Sequence, residues 1–375
     1  MPFGLIVLYA VFFLCSVLFS WLINSLLYRF SRTLGGRQRN HRHVIRWSSS
    51  LKPSVGGFSF YMLLLLSMLV HMFFVHEEIH DTGPQLQGLF LACTLGFVLG
   101  LADDAYDTIP LLKFSVQLLC GFALLLTGTA IALTGHPLLD GALTLFWVVG
   151  MMNAINMLDN MDGVAATVCF FVLSGFLLVL AARGLMAEPY VLISVGMMGA
   201  LLGFLRLNWK PARIYMGDTG SQLLGVCLAG LGLSVLWNHP EQGIQAPYLR
   251  YVALPVLVFV VPLIDIGTVT LWRLSRRQSP FVGGRDHISH HLVYLGLSER
   301  QVVFVLGGLS AVAAVAAGAL CLRWDRFTDT VAVLVLGILF VVFLAMQFVY
   351  YLGKHRSHAH AGQELSGSPA ALESK

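Results

Sequence analysis

The sequence predicts an all-α, polytopic integral membrane protein, and three observations predict it. Hydrophobic residues make up 57% of the 375-residue chain and charged residues only 11%, against roughly a quarter charged in soluble globular domains. Apolar runs of about 20 residues, the length that crosses a bilayer as a helix, follow one another with short polar gaps. The basic residues fall almost entirely in alternate gaps.

Eleven spans are read, centred near Phe13, Leu65, Leu95, Phe122, Val148, Leu173, Met198, Val226, Phe259, Ala313 and Leu339. The first starts at Phe3 without a basic leader or a small-residue cleavage pattern, so it reads as a retained span and not a signal peptide. The third and seventh are short, contain glycines and are the least sharply bounded. Lysine and arginine collect in cytoplasmic loops. With the loops after odd-numbered spans and the C-terminal tail on one side, that side holds 19 of the 23 basic residues, and the other keeps only Arg183, Arg250, Arg323 and Arg326. The expected orientation therefore has the N-terminus outside and the C-terminus inside. Residues 1–352 form the membrane-embedded domain, with no room for a soluble one. Residues 353–375, rich in His, Ser, Gly and Ala, read as a disordered cytoplasmic tail.

The six cysteines all lie in apolar runs without metal-ligand spacing and read as small core hydrophobes. The formal charge of +4 is spread over loops, which points to anionic lipid and anionic substrate and away from nucleic acid. Internal inverted repeats of the kind that mark many transporters are not evident.

Every dense polar cluster falls in a loop assigned to the inner side. After span three, GLADDAYDTIPLLKF gathers Asp103, Asp104 and Asp107, with Lys113 downstream. Three carboxylates in five residues repel one another, and a divalent cation such as Mg²⁺ is the usual partner of carboxylates that also handle phosphate. Asp103 and Asp107 share a face at helical spacing. At the end of span five, NAINMLDNMDG places Asn153, Asn156, Asp159 and Asp162 at three-residue spacing, a slowly rotating stripe on a helix, with Gly163 to end it.

Before span eight, RIYMGDTGSQLLG puts Asp218 between glycines at a helix start. There it serves either as a ligand in an anion- or metal-handling turn or as a plain N-cap. After span nine, RRQSPFVGGRDHISHHL carries Arg285, His287, His290 and His291, groups suited to a diphosphate. Lys52 sits in KPSVGG, and Asp265 lies inside span nine, where an ionisable group must find a partner.

KPSVGG, the DDAYD run with its lysine, NAINMLDNMDG, the MGDTGS turn and the Arg/His loop occur in this order over spans two to ten. Together they resemble the polyprenyl-phosphate N-acetylhexosamine-1-phosphate transferase family. That resemblance implies eleven spans with a cytoplasmic-face active site, a UDP-N-acetylhexosamine donor, an undecaprenyl phosphate acceptor in the bilayer, and Mg²⁺, with Mn²⁺ as a substitute. It implies Asp218 as the metal ligand and Asp103 and Asp104 as catalytic groups that prepare the lipid phosphate. Asn153, Asn156, Asp159 and Asp162 line the nucleotide side with Lys113, and Lys52 and Asp107 are further substrate-binding residues. Arg285, His287, His290 and His291 hold the diphosphate and sugar. A homodimer is compatible with it.

Asn160 stands where the peptidoglycan-precursor branch typically carries Gly, and RDHISHH replaces an HHHFE-like run. Both departures favour the branch that starts O-antigen, common antigen, teichoic acid or capsule assembly over the muramoyl-pentapeptide branch. A cation-coupled transporter, the rival from another class, would place carboxylates near mid-membrane in broken spans.

Overall fold

The structure, a computed structural model, describes residues 3–33, 52–74, 83–237, 249–279, 284 and 286–366. Over these it is helical: α1 Phe3–Thr33, α2 Gly56–Phe74, α3 Gly83–Tyr106, α4 Pro110–Leu126, α5 Pro137–Leu158, α6 Val164–Ala182, α7 Pro189–Asn208, α8 Gly217–Gly232, α9 Leu249–Val258, α10 Val260–Ser275, α11 Ile288–Tyr294, α12 Glu299–Leu322 and α13 Asp329–Ser366. Among the described residues nine helices are long and apolar enough to cross a membrane, and the bent pair α9–α10 makes a tenth. α4, with 17 residues, is about 25 Å long at helical rise and falls short of the roughly 30 Å hydrocarbon layer. All eleven centres read from sequence fall on these helices or, for Phe259, on the break within the bent pair. Glycine does not break α3 or α7, which run 24 and 20 residues.

The ninth span departs from a simple helix. α9 and α10 meet at 85° around Phe259. Pro255 lies inside α9 and Pro262 in α10 has no N–H for the Val258 carbonyl, so the hydrogen-bond ladder fails where the chain turns.

α8 is the hub. Its most apolar window is 94% buried, and it packs on α3, α5, α2 and α6. Small residues allow the approach, since lipid-embedded helices associate by close packing. A Cβ on Gly225 would lie 2.6 Å from the Met152 Cα of α5. At the other extreme, the spanning part of α13 is only 6% buried and presents its apolar side chains to lipid. α13 continues to Ser366, past the 353 boundary where the sequence suggested disorder. Extending an established helix is far easier than nucleating one.

Candidate active site

The ends of α3, α5 and α10 and the starts of α2, α4 and α8 meet at one end of the bundle, and the polar clusters meet there with them. α3 stops at Tyr106 and Asp107 adopts the left-handed conformation, φ 56°. Asp107 is therefore exposed and does not share a helical face with Asp103. The α8 N-terminus has Met216 at its cap without a side-chain cap bond. Asp104 supplies the missing acceptor from α3: it receives Asp218 N–H at 3.1 Å, Thr219 N–H at 2.9 Å and the Thr219 hydroxyl at 2.6 Å. Asp218 is thus not the cap, and Asp104, expected to be catalytic, instead has both oxygens engaged in fixing α8. Gly100 makes this possible, because a Cβ there would overlap the Asp218 carbonyl.

The Asp218 side chain is left to other partners. Asn156 donates to Oδ1 at 2.8 Å and also to Ser221 Oγ at 2.8 Å. The Lys113 ammonium lies 3.2 Å from Asp218 Oδ2 and pairs closely with Asp103 Oδ2. Asp103 is buried, and its other oxygen accepts Thr108 N–H and hydroxyl at 2.9 and 2.5 Å. Lys113 therefore bridges two carboxylates from different helices.

Beneath them Asn153 donates to Gln117 at 2.9 Å, and Gln117 donates to Gln222 at 3.2 Å. The two glutamines were missed from sequence. Their signal was spacing, since each lies one helical turn inward from a site residue, Lys113 and Asp218, in an otherwise apolar run.

The expected stripe ends early: α5 closes at Leu158, Asp159 is its C-cap, and Asp162 lies beyond the helix. Asp162 is buried and structural in its contacts. It accepts Ala212 N–H at 2.9 Å and faces Lys52 at 3.6 Å and Lys210 at 3.7 Å. Burial opposes the Lys210 charge, but Glu299 at 2.7 Å and Asp162 hold its ammonium above the usual lysine value. Lys52 also lies over the Tyr215 ring at 4.9 Å, and the KPSVGG segment pairs with Tyr215 through Val55 and Gly56 N–H groups.

The Arg/His loop divides. Asp265 finds the partner its burial requires in His287, Nδ1 to Oδ2 2.9 Å, and accepts Ile288 N–H at 3.0 Å. His290 packs edge-on to His287 with ring centres 5.5 Å apart. Ser289 donates to Asn160 at 2.6 Å and ties the loop to the α5 turn. His291 turns away, buried against Tyr350 of α13 at 3.9 Å between centroids. Desolvation lowers it to about 4, so its ring is neutral where it packs on Tyr350.

Asp286, not singled out from sequence, accepts from Arg273, Arg276 and Tyr350 at 3.3, 3.2 and 3.1 Å. Burial acts to raise its carboxyl, but the Tyr350 hydrogen bond and the two guanidiniums hold it below the ordinary range. Arg285 lies outside the described residues.

Hard oxygen donors and an existing cation position make the Asp103–Asp218 pair chemically suited to Mg²⁺. Among the described residues no group of three or more His, Cys, Asp or Glu could hold a metal ion. Mg²⁺ commonly takes one or two carboxylates and completes its shell from water and substrate phosphates, so this pair fits the ion as a partner of a bound phosphate.

The chain matches the model of glycosyl transferase family 4 over residues 86–236, the stretch from α3 to the end of α8 that carries Asp103, Asp104, Lys113, Asn156 and Asp218. Over that stretch the chain is similar to this family. A probable undecaprenyl-phosphate N-acetylglucosaminyl 1-phosphate transferase of Bacillus subtilis is 27% identical over 320 residues, covering 81% of this chain and 84% of that one. A decaprenyl-phosphate N-acetylglucosaminephosphotransferase of Mycobacterium tuberculosis is 29% identical over 286 residues, 68% of each chain. A phospho-N-acetylmuramoyl-pentapeptide-transferase of Carboxydothermus hydrogenoformans is 28% identical over 332 residues, 80% of this chain and 92% of that one. These likenesses, together with the apolar spans, support a membrane-embedded polyprenyl-phosphate sugar-phosphate transferase.

Proposed function

We propose that this transferase moves N-acetylhexosamine-1-phosphate from a UDP-sugar to undecaprenyl phosphate at the cytoplasmic face of the inner membrane. UMP leaves, and the lipid-diphosphate sugar begins a cell-surface glycan such as O-antigen, common antigen, teichoic acid or capsule. The observation that carries this reading is the Lys113 bridge between Asp103 and Asp218, with Asn156 bonded to the same Asp218. It supplies a cation, two hard anionic donors and an amide within one turn of a helix N-terminus, a setting for phosphate.

The reaction brings the lipid phosphate onto the sugar-bearing β-phosphate, and two anions at contact range repel by several kcal/mol in a poorly screened site. Lys113 and the α8 N-terminus offset part of that repulsion. Mg²⁺, held by Asp218 and Asp103, would screen the phosphates as a Lewis acid. Asp103 takes the proton from the lipid phosphate at the oxygen now facing Lys113. Asn156 holds the Asp218 carboxylate in one orientation, and Asp104 fixes the helix that carries it. His287, oriented through Nδ1 by Asp265, presents Nε2 toward the diphosphate with His290 beside it.

Departures at Asn160 and in RDHISHH favour this branch over the muramoyl-pentapeptide one. Carboxylates gathered at one bundle end, with Asp265 committed to His287, speak against a transporter. Membranes carrying the chain, given radiolabelled UDP-N-acetylhexosamines and undecaprenyl phosphate, should move label into the lipid phase. No transfer from any of these donors refutes the reading.

A further inference from the structure

We propose that the bundle carries a second polar site, at the end opposite the transferase centre, for an aminoalkyl phosphate of the kind that heads a zwitterionic phospholipid. A cavity of about 260 Å³ lies there, lined by Gln85, Thr129, Arg183, Glu188, Tyr190 and Ser234 among others. They come from the start of α3, the turn after α4, the end of α6, the start of α7 and the π-helical turn Leu233–Trp237 that follows α8. Five separate elements thus converge at one membrane-edge position.

Unsatisfied polar atoms converge on the same space. Gln85 Oε1, Thr129 Oγ1 and Arg183 Nε and Nη2 are buried without hydrogen-bond partners among the described residues, and Thr129 is only 4% exposed. Arg183 is held in place by Nη1, which donates to the Val235 carbonyl at 2.6 Å, and by the Trp324 ring at 5.7 Å. The guanidinium is anchored on one side and unsatisfied on the other. Buried polar groups in native proteins are nearly always paired. A cavity many times the roughly 10–15 Å³ that one water needs, with these polar atoms in its wall, has room for a polar occupant.

The lining chooses its class. A guanidinium fork matches phosphate oxygens, and the Thr129 hydroxyl can donate alongside it, next to the Tyr190 and Ser234 hydroxyls, which bond to each other. Glu188 and Gln85 Oε1 supply the acceptors an ammonium needs. One cation and one anion in the wall suit a ligand that carries both charges. The headgroup of a lipid in the adjoining leaflet and a free aminoalkyl phosphate share that chemistry.

The test uses the full chain, delipidated in detergent, with three probes: phosphatidylethanolamine, phosphatidylglycerol and soluble O-phosphoethanolamine, followed by native mass spectrometry and thermal shift. Saturable binding of phosphatidylethanolamine over phosphatidylglycerol identifies the lipid as the source. Saturable binding of O-phosphoethanolamine at comparable affinity identifies a free metabolite. Arg183→Gln and Thr129→Val should each weaken binding, the former by about tenfold or more for loss of a charge-assisted pair, and Glu188→Gln should erase the preference for the amine. Thr129→Val removes a hydroxyl that has no hydrogen-bond partner among the described residues, so it leaves the fold intact and decides the matter if Arg183→Gln does not accumulate. Binding unchanged in Thr129→Val, phosphatidylglycerol held as tightly as phosphatidylethanolamine, or no saturable binding of any probe would overturn the proposal.

Discussion

Asp104 of α3 holds Thr219 of α8 twice, by main-chain N–H at 2.9 Å and by hydroxyl at 2.6 Å. A carboxylate from one helix thereby closes the N-terminus of another, and the next side chain, Asp218, is freed for chemistry. Asn caps nearly as well as Asp, while Ala does not. Asp104→Asn should keep most thermal stability and lower turnover without moving the Mg²⁺ midpoint. Asp104→Ala should destabilise the protein by about 1–2 kcal/mol. A shifted Mg²⁺ midpoint in Asp104→Asn would make Asp104 a metal ligand after all.

Gly100 lies where a Cβ would overlap the Asp218 carbonyl. Gly100→Ala should push α3 from α8 and spoil the site, with losses of the order of 10²-fold from a displacement near 1 Å. Activity close to wild type, measured on equal amounts of membrane-inserted protein, would mean the two helices do not rely on this contact.

The helices themselves were legible because apolar length and basic asymmetry are strong signals, and the motifs carrying Asp103, Asp104, Lys113, Asn156 and Asp218 meet at one end, while His291 turns to α13. What was not legible was where each helix stops. Read as continuing, the DDAYD and NAINMLDNMDG runs placed Asp107, Asp159 and Asp162 on faces that the chain leaves at Tyr106 and Leu158. Local spacing also could not say that Asp104 caps α8 across 115 residues of sequence, or that α13 covers His291. Such facts are set by tertiary contacts between segments distant in the chain, as are the Gln117–Gln222 and Asp286–Tyr350 pairings.

His291 should make the fold acid-sensitive. Its pKa drops from 6.5 unfolded to about 4 folded, desolvation being the largest cause, with Arg276, His287 and Lys354 acting the same way and Asp286 opposing. Above pH 6.5 both states are neutral and the full stability is present. As pH falls from 6.5 through 4 the unfolded state takes up the proton first and stability is lost. His291→Phe keeps a ring against Tyr350, so its thermal midpoint should fall less than wild type between pH 7 and 5, with transfer at pH 7.5 retained. Equal losses in both, or strong loss of transfer in the variant, would contradict a packing role.

The basic asymmetry sets the orientation we propose. A reporter fused after Lys354 should be active only as a cytoplasmic fusion, and one inserted near Gln242 only as an exported fusion. The reverse pattern would put the Asp103–Asp218 centre on the wrong face for a cytoplasmic UDP-sugar.

The central claim is that Asp218 is the reactive carboxylate of a phosphate-handling centre and not a helix cap. Asp218→Asn preserves the side-chain shape, while the α8 cap, supplied by Asp104, is untouched. The purified variant should therefore match wild type in thermal midpoint. Its transfer of label from UDP-N-acetylhexosamine to undecaprenyl phosphate should fall by about 10²-fold or more, the scale of losing a group that stabilises developing charge, with a raised Mg²⁺ midpoint. Unchanged turnover with an unchanged Mg²⁺ midpoint, in an equally stable preparation, would contradict the account.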